Sequence, residues 1–235
     1  MKARLQQSEK GDTVTLAPGD LESAIALLAD HVHEVPLYRW LLGDHISDLD
    51  LRKWLAEILV RPLLNAGCVF GSRRGDRLVG LLLFQPHDAD LSPDGAPPLS
   101  PADVTRVASI PGLRERFVEL LTSSQLAPPV DDAVSLRLAL VSPAERGGPA
   151  LIGMMREIER FCTEASRPYY AWTGSESLRR YYAEVWGASE FGVEDWNGIT
   201  MYGLVSDRPP RPRPDAEPAG RASLAAQRRS SSPIV

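Results

Sequence analysis

A chain of 235 residues, 43% hydrophobic and 24% charged, is long enough for one sizeable core or two small ones and too apolar to be wholly disordered. No apolar run reaches the ~20 residues of a bilayer span, and the opening MKARLQQSEKGD lacks the apolar stretch of a secretory signal, so a cytoplasmic protein with no membrane partner is expected. The net charge of −5 is uneven: six arginines against three acids after Val205 leave −8 on residues 1–205, and an acidic body offers no basic face to nucleic acid.

In chain order, residues 1–11 read as a flexible N-terminus, and DTVTLA (12–17) alternates as a short strand. Asp20 then precedes LESAIALLADHV, whose Leu21, Ile25, Leu28 and Val32 form one helical stripe. PLYRWLL is a second short helix, and SDLDLRKWLAEILVRPLLNAG a longer one that Pro62 should kink and Gly67 should stop. CVFGS and RLVGLLLFQP form a hairpin turned by RRGD. Residues 86–130 hold eight prolines and two helical patches, an elaborated connection between strands.

VSLRLALVSP is a strand, and PALIGMMREIERFCTEA a helix whose Leu151, Met155, Ile158 and Cys162 share a face. PYYAWT is a strand, SESLRRYYAEVWG a helix with a serine cap, and ASEFGVEDW with NGITMYGLV a final strand pair. The order is βαα–ββ–insert–βαβαββ, a mixed α/β sheet domain over 12–205, followed by a Pro/Arg/Ser-rich tail (206–235) with too few large apolar residues to fold. Cys68 and Cys162 are too few for a disulfide framework or a thiolate zinc site, and no other ligand spacing calls for metal. Monomer and homodimer are both compatible with this reading.

The segment LRLALVSPAERGGPALIGMM joins a strand to a helix through Arg146, Gly147 and Gly148. The first N–H groups of a helix have no backbone partner and the helix dipole favours negative charge there, so the turn suits an anion. A plain strand–turn–helix that needs glycine for its geometry alone suits the same residues.

LALVSPAERGGPALIGMM resembles motif A of the GNAT acyl-coenzyme A N-acyltransferases: an apolar strand, V-x-P, then an arginine and small residues opening a helix. HEVPLYRWLLGDH with CVFGSRRGDRLVGLLLFQP resembles the N-terminal half of the branch that includes puromycin acetyltransferase. PYYAWTGSESLRRYYAEVWGASEFGV resembles the family's closing strand–helix–strand. The resemblance implies a GNAT fold, acetyl-coenzyme A or another acyl-coenzyme A as co-substrate, no metal, and transfer to the amine of a small molecule, as in antibiotic resistance or secondary metabolism. A GNAT-fold protein without transferase activity, binding a ligand or a partner, is the alternative. Pro149 stands where the family has its third glycine, Leu151 where it closes on Gly or Ala, and Ser175 where an Asn is frequent.

Carried over position by position, the backbone of Leu140 and Val141 would face the pantetheine arm. Arg146, Gly147, Gly148, Ala150 and Leu151 would hold the diphosphate, with Ser175 nearby. Tyr182 would protonate the leaving thiolate, with Tyr181 as substitute; a core tyrosine suits the Leu178–Tyr182–Val185 stripe equally. No general base is evident: His31, His33 and Glu34, clustered where the first helices of the family wall the acceptor pocket, are the candidates, Glu34 the one assigned a catalytic role, and a solvated helix end is their plain reading. His33 and Trp172 are assigned to the acceptor pocket.

Overall fold

The computed structural model describes residues 12–92, 99–208 and 210. Seven strands form one sheet in the order β1-β2-β3-β4-β5-β7-β6. They are β1 (Asp12–Thr15), β2 (Val69–Arg74), β3 (Arg77–Gln85), β4 (Val134–Val141), β5 (Tyr169–Thr173), β6 (Ser189–Trp196) and β7 (Ile199–Val205). The helices are α1 (Leu21–His31), α2 (Pro36–Leu42), α3 (Leu49–Asn65), α4 (Pro101–Ser109), α5 (Leu113–Thr122), α6 (Pro149–Glu164) and α7 (Glu176–Trp186). The expected order stands, with three helices between β1 and β2 and with the first strand ending at Thr15.

Local chemistry explains the boundaries. Asp48 Oδ1 accepts the N–H groups of Asp50 and Leu51 (2.9 and 3.1 Å) and so opens α3. The helix runs through Pro62 to Asn65 and stops at Gly67, whose φ is +69°. Ser100 and Asp103 cap each other's backbone at α4, and Ser175 caps α7 through the N–H of Leu178 (3.4 Å). Asn197 and Gly198, both at positive φ, make the β6–β7 turn.

All strand pairs are antiparallel except β4–β5. The α6 face of the sheet is marked by Phe84 against Phe161 (5.3 Å between ring centroids) and by Gly80, where a Cβ would press on Met154. The opposite face is covered by the helices before β2, on which α5 packs through Arg116 and Phe117, and Leu28, Leu41, Leu55 and Leu81 are fully buried.

Between Leu83/Leu138 and Phe84/Leu136 the β3–β4 register slips by one residue, so Arg137 is an extra residue in β4. Plain alternation groups Ser135, Arg137, Ala139 and Val141 on one face. The bulge divides them: Val141, paired with Gly80, and Ala139 turn to the α6 face, while Ser135 and Arg137 turn to the α2 face.

Ser206, Arg208 and Pro210, assigned by composition to the tail, pack on the domain. Ser206 exchanges bonds with Tyr169 (2.9 Å each), Arg208 pairs with Asp132, and Thr163 Oγ1 donates to the carbonyl of Pro210 (3.3 Å). The expectations for residues 1–11 and for 211–235 lie outside the described residues.

Candidate functional site

The parallel ladder between β4 and β5 has two rungs, Val134–Tyr169 and Ser135–Tyr170. Beyond them the strands part, and the backbone of Leu136–Val141 on the β5 side has no strand partner. Buried backbone amides and carbonyls are rarely left unpaired, so an opening of this kind in mid-sheet is suited to receiving a ligand with amides of its own. Leu140 is buried and Val141 half-buried at this edge.

At the end of β4 the chain turns through Glu145–Gly148 into α6. Gly147 has φ +76°, and a Cβ on Gly148 would meet the Glu145 carbonyl at 3.0 Å, so turn geometry alone accounts for both glycines. The N–H of Gly148 is spent on that same carbonyl (3.1 Å) and Pro149 has none, which leaves Ala150 and Leu151 as the first-turn donors of α6. Arg146 is already engaged: its Nε donates to the carbonyl of Val141 (3.0 Å) and its Nη2 pairs with Glu34.

Glu34 lies on the turn after α1, where His31 Nδ1 is 3.0 Å from its Oε1. Burial raises its pKa, but hydrogen bonds from Arg146 and His31 outweigh this and hold the carboxyl below its ordinary value. Arg146 and Glu34, which the resemblance places in cofactor and acceptor roles, are thus one ion pair across the β4–α6 turn. His33 stands apart from them, its Nδ1 3.2 Å from Arg52 Nη1.

Tyr182 is 3% exposed, and burial pushes its phenol well above the ordinary value, so it is fully protonated at neutral pH. Tyr181 is half-buried and edge-on to it, with 6.1 Å between ring centroids; burial raises its phenol too. Both fit an acid and neither a base. Ser175 serves as the α7 cap and its hydroxyl lies 2.9 Å from that of Ser177.

On the α2 face, Trp172 donates from Nε1 to the carbonyl of Ala127 (3.0 Å) and meets Phe191 edge-on at 5.0 Å. Its ring lies over Gly203 and Gly192, where a Cβ would sit 2.9 and 3.2 Å from it. A groove of about 460 Å³ runs between α2 and the start of β7, lined by Pro36, Arg39, Trp40, Gly43, Ile46 and Ile199. Pro36 and Ile199 also flank Gly174, so the groove adjoins the C-terminal end of β5.

Arg137 is the residue that sequence reasoning passed over. It is exposed although β4 is the middle strand of seven, and its charge acts on the buried Tyr38 phenol of α2, lowering a pKa that burial raises. The signal was a charged residue inside an otherwise apolar run, SLRLALV. Among the described residues no three His, Cys, Asp or Glu side chains cluster to hold a metal, and no described helix is long and apolar enough to cross a membrane.

The arrangement of strands is decisive when set against solved structures. An acetyltransferase from Corynebacterium glutamicum, of the histone acetyltransferase HPA2 and related type, superposes with a TM-score of 0.63 over 88% of this chain and 99% of its own, at 16% identity. The fold is the GNAT fold. An agmatine N-acetyltransferase gives a TM-score of 0.56 over 84% and 99% of the two chains at 15% identity. An N-acetyltransferase from Staphylococcus aureus gives 0.55 over 83% and 99% at 11% identity. No family model matches the sequence, and no curated protein matches it.

Proposed function

We propose that this GNAT-fold protein is an N-acyltransferase that moves an acetyl or other small acyl group from acyl-coenzyme A to the amine of a small molecule. The parting of β4 and β5 beyond Ser135 and Tyr170, with the start of α6 at its mouth, is the observation that carries the reading. The strand edge at Leu140 and Val141 would line the pantetheine arm, with the Val141 N–H available to it while the Val141 carbonyl accepts from Arg146, and the N–H groups of Ala150 and Leu151 would face the diphosphate. Arg146 would reach that group by turning from Glu34.

A neutral amine attacks the thioester carbonyl, the C–S bond breaks, and the thiolate takes a proton. Tyr182, buried and protonated, is the donor in this scheme, with Tyr181 next to it. Glu34 is a weak base, since Arg146 and His31 stabilise its charged form. Holding the two reactants together is then the larger part of catalysis.

A second reading, a GNAT-fold binding module without transfer, draws on the same turn: Pro149 removes one donor, Glu145 takes another, and Glu34 occupies the arginine. Acetyl-coenzyme A separates the two readings. At ~100 times its dissociation constant it should contribute ~2.7 kcal/mol, raising the melting temperature of a domain this size by roughly 5–10 °C. An unchanged melting temperature at millimolar acetyl-coenzyme A would leave the binding-module reading.

A further inference from the structure

We infer that Arg137 is the anchor for an anionic group of the acceptor, so that the amine this protein takes carries a carboxylate. The inference rests on the acyltransferase reading only for the word acceptor; the anion site stands on its own geometry. β4 has β3 on one side and β5 on the other, and its remaining residues are Val, Leu, Ala and one Ser. Arginine in such a strand is costly unless its head group reaches water or a partner.

The bulge supplies the way out. As the extra residue between Leu136 and Leu138, Arg137 is lifted onto the α2 face beside Ser135, whose register partner on β5 is Tyr170. Two residues along β5, on the same face, stands the half-buried Trp172. The exposed side chain opens on the α2 side, where its charge reaches the Tyr38 phenol and Tyr170 stands on the β5 side; the Trp172 ring lies further out, over Gly203 and Gly192.

Charge then selects the occupant. Arg137 pairs with no carboxylate among the described residues, although the chain has 31 acids against 26 Lys and Arg. A guanidinium presents parallel N–H donors that match a planar carboxylate, and it repels an ammonium group. An amine that enters on this side of β4 therefore places its acid on Arg137.

The test uses acid and amide pairs: L-phenylalanine with L-phenylalaninamide, and 4-aminobutyrate with its amide. Saturation-transfer NMR reads their binding to the wild-type protein, Arg137→Gln and Arg137→Lys; because the side chain is exposed, both variants should keep the wild-type melting temperature. The acid of at least one pair should bind the wild type at least tenfold better than its amide, lose that preference in Arg137→Gln and recover part of it in Arg137→Lys. Equal binding of acid and amide, undiminished binding of the acid to Arg137→Gln, or no binding of either acid overturns the assignment. Calorimetry with acetyl-coenzyme A on the same three proteins tests the transferase reading separately. Acid-selective binding without acetyl-coenzyme A binding would sustain the anchor and sink the transferase.

Discussion

Replacing Glu34 by Gln removes the carboxylate that holds Arg146 and leaves the rest of the turn in place. The side chains of Glu34 and Arg146 are 33% and 46% exposed, so this is a surface pair worth ~0.2–1 kcal/mol however short the contact. Stability should fall by no more than that. If Arg146 must leave Glu34 to meet the diphosphate, the same energy opposes binding, and Glu34→Gln should tighten coenzyme A by roughly 1.4- to 5-fold. Arg146→Ala should act in the opposite sense: charge-assisted bonds contribute ~1.5–3 kcal/mol, a loss of about tenfold to a hundredfold. In the Arg146→Ala background the Glu34 substitution should have no further effect, because there is nothing left to release. Calorimetric titration of the four proteins with coenzyme A closes the cycle. Weaker binding in Glu34→Gln, or unchanged binding in Arg146→Ala, refutes the competition. The pH dependence has a definite sign. The folded-state pKa of Glu34 is depressed, so its contribution to stability is present at neutral pH and disappears as pH falls below the ordinary carboxylate range; Glu34→Gln should lack that component.

Tyr182→Phe should lower turnover by ~10²–10⁴-fold with coenzyme A affinity intact, and if neither it nor Tyr181→Phe slows transfer to a verified acceptor, α7 supplies no proton. Ser206→Ala strips the N–H of Tyr169 of its acceptor at a buried position, so urea denaturation should show a loss of ~1–3 kcal/mol; a smaller loss would mean that the segment after β7 does not hold β5. Cys162 is fully buried, and burial together with the charge of Glu159 pushes its thiol up to about 12; a colourless reaction with Ellman's reagent is expected from the native protein at pH 8 and two thiols on unfolding, whereas rapid native labelling would contradict the packing of Cys68 or Cys162.

Strand and helix order was legible because hydrophobic period and end signals agree along this chain. Asp48, Ser100, Ser175, Gly67 and Asn197–Gly198 each sit where their chemistry is needed. The turn into α6 was legible as a shape. What occupies it was not, because the Arg146–Glu34 pair joins residues 112 positions apart. The bulge at Arg137 was hidden for a similar reason: an extra residue in β4 exists only relative to β3, and no pattern within β4 reveals it. Ser206 was assigned to the tail by composition, which counts apolar residues and misses a hydroxyl that completes a strand's hydrogen bonding.

The parted strands have a mechanical consequence. Two rungs between β4 and β5 make a hinge, and the ladder itself does little to set how far the two halves of the sheet stand apart. On the α2 side the β5–β7–β6 half is held by struts from the insert after β3, whose Arg116 in turn donates to the carbonyl of Leu41 on α2 (2.7 Å). Glu119 accepts from Asn197 (2.7 Å), Gln125 donates to the carbonyl of Asp195 (3.4 Å), the N–H of Leu126 reaches Glu194 (3.3 Å), and the carbonyl of Ala127 takes the indole N–H of Trp172. That half is therefore tied on this side by a span of nine residues, 119–127, in a part of the chain that supplies none of the groups at the mouth of the opening. Changing the length of that span would retune what the opening admits while leaving every residue of β4 and α6 in place.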